Sequence, residues 1–79
     1  MKRYKNLSGI SGVIAYDIGP EWIDVQFQGG TIYRYTYASA GRRHVEAMKV
    51  LALAGKELCT YISRNVHELY AWNDADCLG

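Results

Sequence analysis

Apolar and polar residues alternate along Ile14-Ala15-Tyr16-Asp17-Ile18, the two-residue period of a strand with one buried face. Gly19-Pro20 breaks that pattern. It resumes over Trp22–Phe27, with Ile23, Val25 and Phe27 on one side and Asp24 and Gln26 on the other. After Gly29-Gly30, residues Thr31 to Tyr37 are rich in β-branched and aromatic side chains and form a third strand. Short turns make the three an antiparallel meander. The period then becomes helical. Ser39 is placed to cap a helix from Ala40 to about Leu53, with Val45, Met48 and Ala52 along its apolar stripe, widened by Leu51, and Gly55 at its left-handed C-terminus. A second helix starts near Lys56, with Leu58, Ile62, Val66 and Leu69 on one face. The expected fold is α+β, β-β-β-α-α, with both helices on one face of the sheet.

The loop between the second and third strands decides what Tyr33, Tyr35 and Tyr37 do. A two-residue Gly29-Gly30 turn sets Val25 opposite Arg34 and sends the guanidinium into the core. A three-residue loop, Gln28-Gly29-Gly30, sets Val25 opposite Tyr33, Ile23 opposite Tyr35 and Asp24 opposite Arg34. A one-residue slip exchanges the two faces, so only one register holds. Burying an unpaired arginine costs several kcal/mol, whereas an Asp24–Arg34 surface pair contributes up to about 1 kcal/mol. Gly30 also supplies the left-handed residue of a three-residue loop. Tyr33 and Tyr35 are therefore expected in the core rather than on an exposed stacking platform.

A chain of 79 residues, 49% of them hydrophobic, makes one small domain with little core to spare for a deep catalytic cleft. We expect the domain to span residues 7–70, with a basic arm at 1–6 and a flexible acidic tail at 71–79. No run approaches the roughly 18 apolar residues of a membrane span. The patch after the basic start is broken by Gly9, Gly12 and Asp17, unlike a secretory signal. Cys59 and Cys77 fit neither a disulfide framework nor a zinc motif. A reducing cytoplasm without membrane attachment is the expected location.

Taken together, Tyr16-Asp17 and Ile23-x-Val25-x-Phe27-x-x-Gly30-x-x-Tyr33-x-Tyr35 resemble the KTSC-domain family, named for the C-terminus of some lysyl-tRNA synthetases and otherwise found in short bacterial or phage proteins. Ser8-Gly9-Ile10 is similar to the family's Ser-x-Ile opening, and Ala54-Gly55-Lys56 to its interhelical link. Ala38-Ser39-Ala40 replaces the family's Val-Pro entry to the helix; Glu57-Leu58-Cys59 and Ile62-Ser63 replace its aromatic-Phe-Asn and Ile-Arg. The resemblance implies a small α+β fold, with Tyr16, Tyr33 and Tyr35 as its structural motif, and through the synthetase association it implies RNA binding.

Arg42-Arg43-His44 opens a helix with cations that oppose its dipole, by roughly 0.3–1 kcal/mol each. Free N–H groups at Ser39-Ala40-Gly41, with these residues and Lys2, Arg3 and Lys5, would suit a phosphate or RNA backbone, and Tyr4 or Trp22 a stacked base. A net charge of +1 opposes strong non-specific nucleic-acid binding. Leu51 and Tyr61 stand where a helix-turn-helix needs alanine and a branched residue, so DNA reading is not expected. His44, His67, Cys59 and Cys77 show no catalytic or metal-ligand spacing, so neither an enzyme, a metal nor a small-molecule cofactor is expected. The rival expectation is a protein partner, or a homodimer through the edge of the first or third strand. Trp22, Tyr61, Tyr70 and Trp72 would supply its apolar area.

Overall fold

The structure, a computed structural model, describes residues 1–7 and 12–73. Ser8-Gly9-Ile10 and Cys77 lie outside the described residues. Five antiparallel strands follow one another in chain order: β1 (Lys2–Arg3), β2 (Val13–Ile18), β3 (Trp22–Phe27), β4 (Ile32–Thr36) and β5 (Trp72–Asn73). Between β4 and β5 come α1 (Tyr37–Ala40), α2 (Arg42–Ala54) and α3 (Leu58–Tyr61), which continues as a π-helical turn over Ile62–Val66. The class is α+β with an antiparallel sheet. The three long strands match the expected meander, and two two-residue strands flank it.

The three-residue register holds. Ile23 faces Tyr35, Asp24 faces Arg34 and Val25 faces Tyr33. Phe27 and Thr31 close the loop through a backbone bond of 3.0 Å, with Gly29 and Gly30 both at φ +96°. Tyr35 is 1% exposed and Tyr33 packs against the core, so neither is an open platform.

Three expectations need correction. A β-bulge between Val13 and Ala15 shifts the phase of β2, so Val13 joins Tyr16 in the core and Ile14 is exposed. Ser39 is not the N-cap: Thr36 caps α1 in a reciprocal box with Ser39, and Gly41 at φ +96° separates that single turn from α2. In the second helix Leu58, Ile62 and Val66 are buried, but Leu69, beyond the π-helical turn, is exposed. Gly55 ends α2 in the left-handed conformation, φ +78°, as expected, its N–H donating to the Leu51 carbonyl.

Residues expected in terminal extensions take part in the fold. Lys2 and Arg3 pair with Tyr16 and Ala15, and Tyr4 is buried, its hydroxyl accepting the Leu58 N–H at 3.2 Å. Trp72 and Asn73 pair with Arg34 and Tyr33. The strand edges expected to be open for dimerisation thus carry β1 and β5. The core lies between the helices and one sheet face, where Val13, Tyr16, Ile23, Val25 and Tyr35 meet Val45, Met48, Ala52, Leu58, Ile62 and Val66.

Candidate functional site

Strand alternation puts Asp17, Trp22, Asp24, Gln26 and Arg34 on the opposite face of the sheet, which no helix of the described residues covers. Asp17, Asp24, Arg34 and Trp72 stand side by side across four strands. Two carboxylates directly opposite each other repel, and Arg34 relieves them. Its Nε donates to Asp24 Oδ1 at 2.7 Å and its Nη2 to Oδ2 at 2.9 Å, a fork-to-fork pair. That pairing holds the guanidinium above its ordinary pKa.

The guanidinium also lies over two indoles: its Cζ is 4.0 Å from the Trp22 ring centroid and 5.3 Å from that of Trp72. Each contact adds about 0.5–1 kcal/mol at an exposed site. Trp72 remains 42% exposed and Trp22 half-buried. The result is a preassembled Trp–Arg–Trp ridge on an open face, its cationic charge already matched by Asp24, with the Asp17 carboxylate beside it. Sequence reading placed Arg34 on this face and named Trp22 and Trp72 as apolar area outside the core. It did not foresee β5, which is too short to show a period and which brings Trp72 beside Arg34.

The residues read as a phosphate site do not converge. Arg42 and Arg43 are exposed at the start of α2, with no acidic residue in that first turn and no ion pair among the described residues. Lys5 lies at the other end of the helix, against Gly55. A 13-residue helix separates those ends by roughly 20 Å. Lys2 and Arg3 are on the β1 edge beside β2. The Ser39 and Gly41 N–H groups are not free either, since they donate to Thr36 Oγ1 and the Tyr37 carbonyl. His44 Nδ1 lies 2.7 Å from the Tyr61 hydroxyl, which ties α2 to α3. Tyr4, being buried, is not a base-stacking residue.

On the helical side a cavity of about 360 Å³ opens at the end of the β3–β4 hairpin, between it and the π-helical turn. Phe27, Tyr33, Tyr35 and Tyr70 wall it, with the exposed Glu68 and His67 among its polar lining. Tyr33 and Tyr35 of the family-like motif therefore serve core and cavity wall together, while Tyr16 is core alone. Burial beside Tyr33 and Tyr70 pushes the Tyr35 phenol far above its ordinary value. A raised folded-state pKa means that the protonated phenol stabilises the fold below pH about 10, and that this stability is lost as pH climbs further. In an ultraviolet titration, Tyr35 should ionise last, together with alkaline unfolding. Ionisation of all seven tyrosines near pH 10 in a still-folded chain would contradict this burial.

Among the described residues no cluster of three His, Cys, Asp or Glu side chains is arranged for a metal, and Cys59 is half-buried. No helix of the described residues is long and apolar enough to cross a membrane. No protein-family model, curated protein or solved structure matches the chain.

Proposed function

We propose that this chain is a non-catalytic binding domain, and that it docks a partner protein on the uncovered sheet face. The Trp22–Arg34–Trp72 ridge is the observation that supports this reading. Tryptophan and arginine are the side chains most enriched at the centres of protein interfaces, and here their conformations are fixed before binding, so little ordering entropy is lost. Arg34 is already paired with both oxygens of Asp24, so its guanidinium is not free to grip a phosphate, and Asp17 adds a carboxylate beside it. The fitting partner presents an apolar or aromatic centre with a lysine or arginine to meet Asp17. The cysteine pattern favours a cytoplasmic setting.

The test is a benzophenone side chain at position 72 and, as control, at position 53 on the exposed flank of α2. We expect a protein adduct from position 72 that Trp22→Ala abolishes, and none from position 53. Equal adducts from both positions, or an adduct destroyed by ribonuclease, would refute protein docking on this face.

Arg42 and Arg43 favour a second reading, RNA or phosphate contact at the α2 start, and the KTSC-like motif with its synthetase association belongs with it. Titrating single-stranded RNA at two salt concentrations separates the readings. Phosphate contact predicts binding that weakens with salt and falls about tenfold or more in Arg42→Glu/Arg43→Glu. Affinity no better than about millimolar, or unchanged in the double variant, rules it out.

A further inference from the structure

The cavity beside the π-helical turn lies on the face opposite the Trp–Arg–Trp ridge and plays no part in that docking surface. Its walls are aromatic and set nearly at right angles. Phe27 and Tyr33 are 5.4 Å apart at 76°, Tyr33 and Tyr70 4.9 Å at 89°, and Tyr35 and Tyr70 6.3 Å at 82°. Each ring thus meets the next edge to face, and the row of contacts makes a continuous aromatic wall. The ring faces carry the negative part of the ring quadrupole.

The charge of the lining points the same way. Glu68 is the one carboxylate among the lining residues, and no lysine or arginine is among them. Apart from the tyrosines, His67 is the other ionisable side chain of the lining, and a cation gains both the aromatic walls and the Glu68 carboxylate. At about 360 Å³ the space matches small-ligand pockets rather than a packing defect.

The walls are also held in place. Tyr33 and Tyr35 stand on the central part of β4, and the residue after Tyr70 donates its N–H to the Arg34 carbonyl at 2.6 Å. Ile62 and Ser63 line the cavity from the π-helical turn, a widened helix geometry that recurs at functional sites.

We propose that this aromatic cavity binds a compact organic cation of the methylated-ammonium class, with Phe27, Tyr33 and Tyr70 toward the charge, the buried Tyr35 behind them and Glu68 at its mouth. The same chemistry comes from a free quaternary amine or from a trimethyl-lysine side chain. The probes are therefore choline, a short trimethyl-lysine peptide and dimethylbutanol, the neutral isostere in which carbon replaces nitrogen. Each is titrated into the full chain and followed by proton NMR of its methyl groups.

Ring currents should move the choline methyl resonance upfield, and choline should bind at least about tenfold more tightly than dimethylbutanol. Glu68→Gln, an exposed change that leaves the fold intact by circular dichroism, should weaken choline several-fold and leave dimethylbutanol unchanged. A peptide that binds more tightly than choline assigns the cation to a protein side chain, and the reverse order to a free amine. Equal affinity for choline and its isostere, or no choline binding up to about 100 mM, overturns the proposal. Since none of these readouts involves Trp22 or Trp72, the outcome is independent of protein docking on the other face.

Discussion

Arg34→Met should lower the unfolding free energy by about 3 kcal/mol, read from urea denaturation. Asp24 is only 8% exposed, and both of its carboxylate oxygens accept from this one side chain. Removing the guanidinium strands a desolvated carboxylate opposite a second one, Asp17, and takes away the group that lies over two indoles. Breaking a fully buried pair costs about 3–5 kcal/mol; the Arg34 side chain is 30% exposed, which places this pair at the low end.

The reciprocal change should cost less. In Asp24→Ala the guanidinium keeps both rings and reaches water, so its charge is not stranded. Asp24→Asn/Arg34→Met should recover a large part of the single-variant loss, because the isolated charge is then gone. An Arg34→Met loss below about 0.5 kcal/mol would mean that Asp24 is solvated and that the ridge is not a rigid unit.

Gly55→Ala should be nearly as damaging, at about 2–3 kcal/mol. Two independent obstacles meet at this residue. Its φ of +78° lies in the left-handed region that L side chains avoid, and an added Cβ would come 2.4 Å from the Cβ of Lys5. A Cβ is tethered directly to backbone, so relief requires the segment after β1 to move. That segment is fixed by the Leu7 N–H donating to the Gly55 carbonyl at 2.7 Å and by Tyr4 in the core. Placing Gly55→Ala in a Lys5→Gly background should restore the part due to collision and leave the dihedral part. Equal losses in both backgrounds would show that the chain end does not press on the helix terminus.

How far the sequence announced this molecule depended on the range of each signal. The β3–β4 register was legible because two local facts agreed: the glycine pair allowed the loop, and Asp24 and Arg34 came into phase only in that register. The end of α2 was legible from Gly55. The start of the helical region was not, since Thr36 and Ser39 are both plausible caps and only the closed chain shows them capping each other. Ile14 misled because a bulge shifts the strand phase without changing composition. Strands of two residues carry no period, so β1 and β5 escaped notice, and with them the burial of Tyr4 and the pairing of Trp72 with Arg34. Charge proximity along the chain likewise does not give proximity in space: Lys5 and Arg42 both touch the α2 region, but at its opposite ends. The aromatic cavity draws on β3, β4, the π-helical turn and the segment before β5, a convergence that no single stretch of sequence contains.

The two minimal strands at the borders of the sheet have a consequence for how this protein behaves when concentrated. A bare meander would offer the unsatisfied amides of β2 and β4 as templates for neighbouring molecules, the usual route to fibrils. Here each border is occupied over a short length by the chain's own backbone, with Lys2 and Arg3 adding mutual repulsion along one side. Growth by lateral strand addition is thereby discouraged along those positions.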